Sequence, residues 1–176
     1  MSRPMVGIVM GSDSDLPVMQ GAVRILEELG ISSEVVISSA HRAPDKTAAY
    51  ARSAVERGLA VIIAGAGGSA HLPGVIAAYT PLPVIGVPIE SGSLNGVDAL
   101  YAMVQMPAGV PVATVAINGS KNAGILAAQI IGATDPAVRA SVAAFKDKLA
   151  KQVSEKDDLL AELGIGGYLA RPKDQR

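Results

Sequence analysis

The sequence of 176 residues contains no cysteine and no tryptophan, and it has one phenylalanine and four tyrosines. Without cysteine the chain has no disulfides and no thiolate metal ligands, which is compatible with an intracellular location. The scarcity of aromatic side chains argues against a surface that stacks nucleic-acid bases or flavin rings. The formal net charge of −1 gives no electrostatic field that would attract nucleic acid or an anionic membrane surface.

Charged residues are also scarce, at 18% of the chain, whereas hydrophobic residues make up 49% and the mean hydropathy is +0.37. We expect one domain with one core, and apolar surface that other copies of the chain cover. Residues 58–89 carry no Lys, Arg, Asp or Glu, but their glycines and prolines interrupt any membrane-spanning helix. The first residues lack the layout of a signal peptide. We therefore expect a cytoplasmic protein with no membrane contact.

Apolar runs typical of strands alternate five times with segments of helical periodicity. The predicted strands are residues 5–10, 31–38, 60–64, 83–87 and 111–117. The predicted helices are residues 16–29, 44–57, 72–79, 94–106, 120–131 and a long C-terminal helix over 136–163. This alternation predicts an α/β, three-layer αβα fold with a parallel, flavodoxin-like sheet of strand order 2-1-3-4-5. We expect a single catalytic domain over 1–164, which includes the long helix, and a tail over 165–176.

The third predicted strand leads into a glycine-rich segment that ends in His71. Its glycines are Gly65, Gly67 and Gly68, and glycine lets a ligand approach the main chain closely. In an open α/β sheet the ligand crevice lies beyond the carboxyl ends of the strands. The segment therefore predicts the floor of a binding site; the alternative is a packing turn between strand and helix.

The first strand ends in Gly-Ser-Asp-Ser-Asp, residues 11–15, at the start of a helix. Free backbone N–H groups and the positive end of a helix favour an anion there, and Ser12 adds a hydroxyl donor. The alternative is that Ser14 or Asp13 caps the helix. Because two carboxylates and a phosphate repel one another, we assign Asp15 to the hydroxyl groups of a sugar beside the phosphate.

The second strand ends in Ser39, Ala40, His41 and Arg42. An arginine at a helix start is unfavourable unless it binds an anion, and its forked guanidinium suits phosphate. His41 and His71 are the only two histidines of the chain, and both are predicted on the same edge of the sheet. Imidazole exchanges protons near neutral pH. The residues therefore predict a cofactor-free enzyme that transfers a proton on a substrate resembling a ribonucleotide.

Four segments, residues 11–15, 39–42, 64–74 and 105–115, resemble the N5-carboxyaminoimidazole ribonucleotide mutase family of purine biosynthesis. The match runs in the same order over about residues 5–132. The resemblance implies a homo-octamer that needs no cofactor and no metal. It also implies that a carboxylate moves from the exocyclic nitrogen of the substrate to C4 of its imidazole ring.

The resemblance further implies a role for each matching residue. Ser12 and Arg42 would hold the phosphate, Asp15 the ribose, and His41 would be the general acid and base. Ser39, Gly67 and His71 would line the ring and the carboxylate. Ala43 stands where the family usually has threonine.

The implied reaction is decarboxylation, trapping of carbon dioxide, attack by C4 and loss of the C4 proton to His41. It needs an enclosed site, and residues 107–111 or the tail are candidates for a mobile wall.

The nearest alternative is the related aminoimidazole ribonucleotide carboxylase, which uses free carbon dioxide on the same ring. It usually lacks the Gln-Met-Pro-Ala-Gly-Val-Pro segment found here at 105–111, and it is often fused to a second enzyme. The segment favours the mutase.

Two alternatives come from other classes of protein. A phosphorelay receiver module would use Asp13, Asp15 and Lys121, but residues 64–66 are Ala-Gly-Ala where its phospho-acceptor Asp belongs. A dinucleotide-binding module would use residues 65–70, which fit G-x-G-x-x-A, with Glu90 further on. That fingerprint belongs after the first strand, and Pro73 disturbs the helix start that it needs.

Overall fold

The computed structural model describes residues 5–172 and contains one parallel sheet of five strands in the order β2-β1-β3-β4-β5. The strands are β1 (Val6–Met10), β2 (Ser33–Ile37), β3 (Val61–Gly67), β4 (Val84–Ile89) and β5 (Ala113–Thr114). The helices are α1 (Leu16–Glu28), α2 (Pro44–Ser53), α3 (Leu72–Tyr79), α4 (Val97–Val104), α5 (Ser120–Gly132) and α6 (Pro136–Ala170). The predicted α/β fold, strand order and long C-terminal helix are confirmed.

The three central strands β1, β3 and β4 are buried on both faces, because helices cover both sides of the sheet. Alternate side chains of β1 enter two different cores: Ile8 and Met10 pack under α1, α5 and α6, whereas Val9 packs under α2, α3 and α4. This alternation follows from the period of two along a strand. Helices thus cover both faces of the sheet and leave its carboxyl ends free to carry a site.

Several element ends differ from their predicted positions. Strand β5 has two residues rather than seven, because Pro111 lacks an N–H for the ladder and this edge strand pairs only with β4. Helix α4 begins at Val97 rather than at residue 94, since Asn95 and Gly96 have left-handed backbone angles of φ 49° and 84°. Helix α2 ends at Ser53, four residues before its predicted end at 57.

Helix α6 begins at a cap, where a side-chain oxygen of Asp135 accepts hydrogen bonds from the N–H groups of Ala137 and Val138 at 2.9 and 3.2 Å. Its first turns pack on the domain through Val142 and Phe145, which are its only two buried residues.

The long helix is interrupted close to its predicted end at residue 163. Gly164 is non-helical, with φ 63° and ψ 172°, and a second helical stretch follows to Ala170, where the sequence predicts a tail. Residues 173–176 of that tail lie outside the described residues. Between residues 5 and 172, no helix combines the length and the apolar character that crossing a bilayer requires.

Candidate active site

A cleft of about 380 Å³ lies at the carboxyl ends of the central strands. Six of the seven predicted site residues line it: Ser12, Asp15, Ser39, His41, Arg42 and Gly67. They come from the segments that follow β1, from those that follow β2, and from the end of β3. These segments converge because all the strands are parallel and end on the same edge of the sheet.

The segment after β1 forms a single turn of 3₁₀ helix, Asp13–Asp15, and its cap is Ser12. The alternative in which Ser14 or Asp13 caps the helix is wrong: Ser12 caps the 3₁₀ turn, and Asp15, the N-cap residue of α1, makes no side-chain capping bond to that helix. Ser12 Oγ accepts a hydrogen bond from the Ser14 N–H at 3.4 Å. The carboxylate of Asp15 in turn accepts one from the Ser12 N–H at 3.1 Å. This reciprocal capping box fixes the Ser12 hydroxyl and the Asp15 carboxylate at the cleft wall.

Burial raises the pKa of the Asp15 carboxyl above its usual value. The hydrogen bond from the Ser12 N–H opposes this shift, while the nearby negative charge of Asp13 adds to it. Arg42 lowers the pKa by a smaller amount. Asp15 is therefore a partly desolvated acceptor, which is suited to hydroxyl groups of a ligand.

The segment after β2 brings Arg42 to the cleft and holds its side chain in place. Its backbone N–H and its Nε both donate to Ser39 Oγ, at 3.2 and 3.4 Å. Its Nη2 donates to the carbonyl oxygen of Gly11 at 3.0 Å, across the gap to the segment after β1. One guanidinium nitrogen, Nη1, remains available for an anion within the described part of the chain.

The two histidines of the chain are in direct contact. His41 Nε2 lies 2.9 Å from His71 Nδ1, and the two rings meet edge to face with centroids 5.0 Å apart and an interplanar angle of 89°. His71 is the N-cap residue of α3. It does not line the cleft, and it reaches the site through its bond to His41.

The glycines after β3 have different roles. Strand β3 continues through Gly67, beyond its predicted end at residue 64. A Cβ atom at Gly65 would collide with Met19 Sδ, so the packing alternative holds for this glycine. Gly67 does line the cleft, and a Cβ atom there would lie 2.5 Å from Ser91 Oγ. Gly68 adopts a left-handed φ of 56°.

Sequence reasoning missed two serines that line the cleft, Ser69 and Ser91, and it did not include Ser14 among the predicted site residues. Ser91 follows the end of β4. The same rule that found the other segments, that ligands bind beyond the carboxyl ends of parallel strands, would have pointed to it. Among the residues from 5 to 172, no group of three or more His, Asp or Glu side chains is placed to bind a metal ion.

The strand order reverses between β1 and β3, and the cleft lies at this switch point. The molecule is therefore an α/β protein of the flavodoxin-like type, and its cleft, lined by Ser, Asp, His and Arg side chains among others, lies at the position where such sheets bind ligands. A family model described as AIR carboxylase matches residues 5–152. The chain belongs to the AIR carboxylase family, and the resemblance noted in the sequence is confirmed.

Several relatives share most of the chain. It is 58% identical to N5-carboxyaminoimidazole ribonucleotide mutase of Thermotoga maritima over 166 residues, which cover 94% of this chain and 97% of the relative. It is 56% identical to phosphoribosylaminoimidazole carboxylase of Schizosaccharomyces pombe over 167 residues, 95% of this chain but 30% of that protein. The crystal structure of Treponema denticola PurE superposes with a TM-score of 0.81 at 31% identity, covering 90% of this chain and 99% of that one.

Proposed function

We propose that this chain is an N5-carboxyaminoimidazole ribonucleotide mutase, which converts its substrate to 4-carboxy-5-aminoimidazole ribonucleotide in purine biosynthesis. The observation that carries the proposal is the convergence of Ser12, Arg42 and His41 in one cleft. An anion-binding pair and an imidazole at one switch point suit a sugar phosphate whose ring must gain and lose a proton. The relatives of near-equal length that bear this name add support.

The phosphate group would lie between Ser12 and Arg42. The bonds of Arg42 to Ser39 and Gly11 hold the guanidinium in the cleft before a ligand arrives, so that little side-chain entropy is lost on binding. Asp15, held by the Ser12 N–H, would accept hydrogen bonds from the ribose hydroxyls. The bare backbone at Gly67 leaves room for the flat imidazole ring and its carboxylate.

His41 would act as the general acid and base. Its imidazolium gives a proton to the exocyclic nitrogen as the N–C bond to the carboxylate breaks and carbon dioxide is released. C4 of the ring then attacks the trapped carbon dioxide, and the C4 proton returns to the neutral His41. The proton that His41 gives in the first step is matched by the one it takes in the second, so the two steps return His41 to its starting form. Carbon dioxide must stay enclosed between the two steps.

We also propose that the enzyme is a cytoplasmic homo-octamer built from one catalytic domain over 1–164. Exposed apolar side chains on α4 and on the distal part of α6 support self-association. They include Val97, Tyr101, Val104, Val153, Leu160 and Leu163. Light scattering coupled to gel filtration measures the number of subunits.

The carboxylase remains the second candidate, because the Schizosaccharomyces pombe relative at 56% identity bears that name. Purified protein is given either aminoimidazole ribonucleotide with bicarbonate or the N5-carboxyamino isomer, and the C4-carboxylated product is quantified. The mutase proposal expects rapid product only from the isomer. Rapid use of aminoimidazole ribonucleotide with bicarbonate would show the carboxylase instead, and the His41→Asn variant controls for the uncatalysed reaction.

A further inference from the structure

We infer that His71 fixes the tautomer of His41, so that His41 exchanges protons with the substrate through Nδ1 while Nε2 stays bonded to His71. The tautomer of His41 is inferred from the geometry of the two rings. Its consequence for catalysis rests on the proposed function. His71 is then a positioning residue that acts through His41.

The contact joins two unlike nitrogens, Nε2 of His41 and Nδ1 of His71, at 2.9 Å. A hydrogen bond needs one N–H donor and one lone pair, and a neutral imidazole carries a single N–H. If His41 donates, both neutral rings carry their proton on Nε2. If His71 donates, both carry it on Nδ1. The pair therefore has only two neutral arrangements, and the tautomers of the two rings are linked.

Two properties of the pair favour the arrangement in which His41 donates. The Nε2–H tautomer of a free neutral imidazole side chain is the more populated one in water, and this arrangement gives both rings that tautomer. No other hydrogen bond to either ring, within residues 5–172, opposes it. An imidazolium at His41, which the proposed function requires, carries an N–H on both nitrogens, so its Nε2–H can only donate to Nδ1 of His71. His71 therefore keeps its lone pair on Nδ1 and accepts.

In this arrangement the two nitrogens of His41, which lines the cleft, have different roles. The Nε2–H bond to His71 persists through both chemical steps. The Nδ1 proton passes to the exocyclic nitrogen as the N–C bond breaks, and Nδ1 later receives the proton from C4. A fixed tautomer keeps the lone pair of the neutral base on Nδ1, where the C4 proton must go; the opposite tautomer would present an N–H there instead.

The tautomer can be measured without any activity. Because the chain has two histidines, protein labelled with ¹⁵N-histidine has four ring-nitrogen signals, and protonated and unprotonated nitrogens are well separated in solid-state NMR spectra. The spectra are recorded at alkaline pH, chosen so that each ring shows one protonated and one unprotonated nitrogen signal. The His71→Asn variant retains one ring and identifies the signals of His41. We expect the proton of His41 on Nε2; a proton on Nδ1 in the wild type would overturn the inference.

Two matched amide variants test the consequence for catalysis. The side chain of Asn reproduces the position of Nδ1, so His71→Asn keeps an acceptor for the Nε2–H of His41. The amide of Gln instead reaches the position of Nε2 of His71. His71→Gln therefore leaves the Nε2–H of His41 without its acceptor. We expect kcat of His71→Asn to stay within a few-fold of the wild type. In His71→Gln we expect kcat to fall about tenfold to a hundredfold, less than the loss of the base itself would cost, and ¹⁵N signals of both His41 tautomers.

Equal losses in both amide variants, with an unchanged His41 tautomer, would show that His71 acts by another route. Thermal unfolding of each variant shows whether it is folded, and the NMR measurement on the wild type does not depend on the variants. A wild-type protein that forms no mutase product would refute the proposed function, while the tautomer of His41 would still be decided by the spectra.

Discussion

Arg42 Nη2 donates a hydrogen bond to the carbonyl oxygen of Gly11 at 3.0 Å, although the two residues follow different strands. Ser39 Oγ accepts from Nε of the same guanidinium at 3.4 Å. The guanidinium therefore joins the segment after β1 to the segment after β2 before any ligand is bound. Its position is set by neutral acceptors, which leaves its positive charge available for a phosphate.

Replacing Arg42 should weaken substrate binding more than it slows the chemistry. A hydrogen bond to a charged group contributes about 1.5–3 kcal/mol, so we expect Arg42→Ala to raise KM roughly tenfold to a hundredfold with a smaller change in kcat. Arg42→Lys should recover part of the affinity, because it keeps the charge but not the fork. Steady-state kinetics measures both effects, and an unchanged KM in Arg42→Ala would contradict the phosphate contact.

Replacing His41 should lower kcat more than it changes KM. His41→Asn removes the imidazole that takes the C4 proton, so we expect kcat to fall by about two to four orders of magnitude, the usual range for acid–base catalysis. Because His41 lies at the cleft surface and outside the two cores, circular dichroism and subunit number should stay unchanged. Near-normal turnover of the folded variant would remove His41 from the mechanism.

Asp15 should cost the folded protein stability at neutral pH. Its pKa is raised in the native state, mainly by burial, so the native state binds more protons than the unfolded state. Stability from this group is then fully present below the unfolded pKa, near 3.9, and is lost as the pH rises through the folded value. Asn at this position still offers an oxygen to the Ser12 N–H but carries no charge.

We therefore expect Asp15→Asn to unfold at a higher temperature than the wild type at pH about 7, with a difference that shrinks toward pH about 3. The same variant should bind substrate more weakly, since a neutral amide is a poorer acceptor for ribose hydroxyls than a carboxylate. Thermal unfolding across this pH range measures the first effect. A wild-type protein that is the more stable of the two at pH 7 would show that the capping bond outweighs desolvation.

The sequence predicts the fold and most of the cleft because both follow from local rules. Alternating strands and helices lead to a parallel sheet, and a parallel sheet brings the residues after its strands to one edge, which is why Ser12, His41 and Gly67 were found. Contacts that depend on side-chain orientation across elements were not predictable. Neither the bond between His41 and His71 nor that between Arg42 and Gly11 leaves a signal in residue spacing. The length of β5 was not predictable either, because it depends on how many residues of this edge strand pair with β4.

Gly65 belongs to the core packing, so its replacement should affect stability first. A Cβ atom at this position would collide with Met19 Sδ under α1, and overpacking of this kind costs about 1–3 kcal/mol. We expect Gly65→Ala to lower the midpoint of denaturant unfolding accordingly. Gly166→Ala is the matched control: a Cβ there meets no atom within 4 Å, and alanine favours helix, so this variant should be neutral or slightly stabilising. Equal stability of both variants would show that α1 moves aside freely.

Asn118 extends the pairing of the sheet beyond the short β5. Its N–H donates to the carbonyl oxygen of Pro88 at 2.8 Å. Its Oδ1 accepts from the N–H of Glu90 at 3.0 Å, and its Nδ2 donates to the Glu90 carboxylate at 3.1 Å. These bonds fix the backbone beside Ser91, which packs against Gly67 in the cleft. Asn118 should therefore affect substrate binding without touching the substrate.

The left-handed φ of 57° at Asn118 makes Gly the appropriate substitution for removing the side chain, because Gly adopts this conformation without strain. We expect Asn118→Gly to raise KM several-fold and to change kcat little. In Asn118→Asp the acceptor for the Glu90 N–H remains, but two carboxylates face each other, so KM should rise further at neutral pH. Adding Glu90→Gln restores a donor opposite the new carboxylate, with the roles of the two side chains exchanged. The double variant should therefore have a lower KM than Asn118→Asp alone. If the effects of the two substitutions on KM are simply additive, the pairing of these side chains does not hold Ser91 in place at the cleft wall.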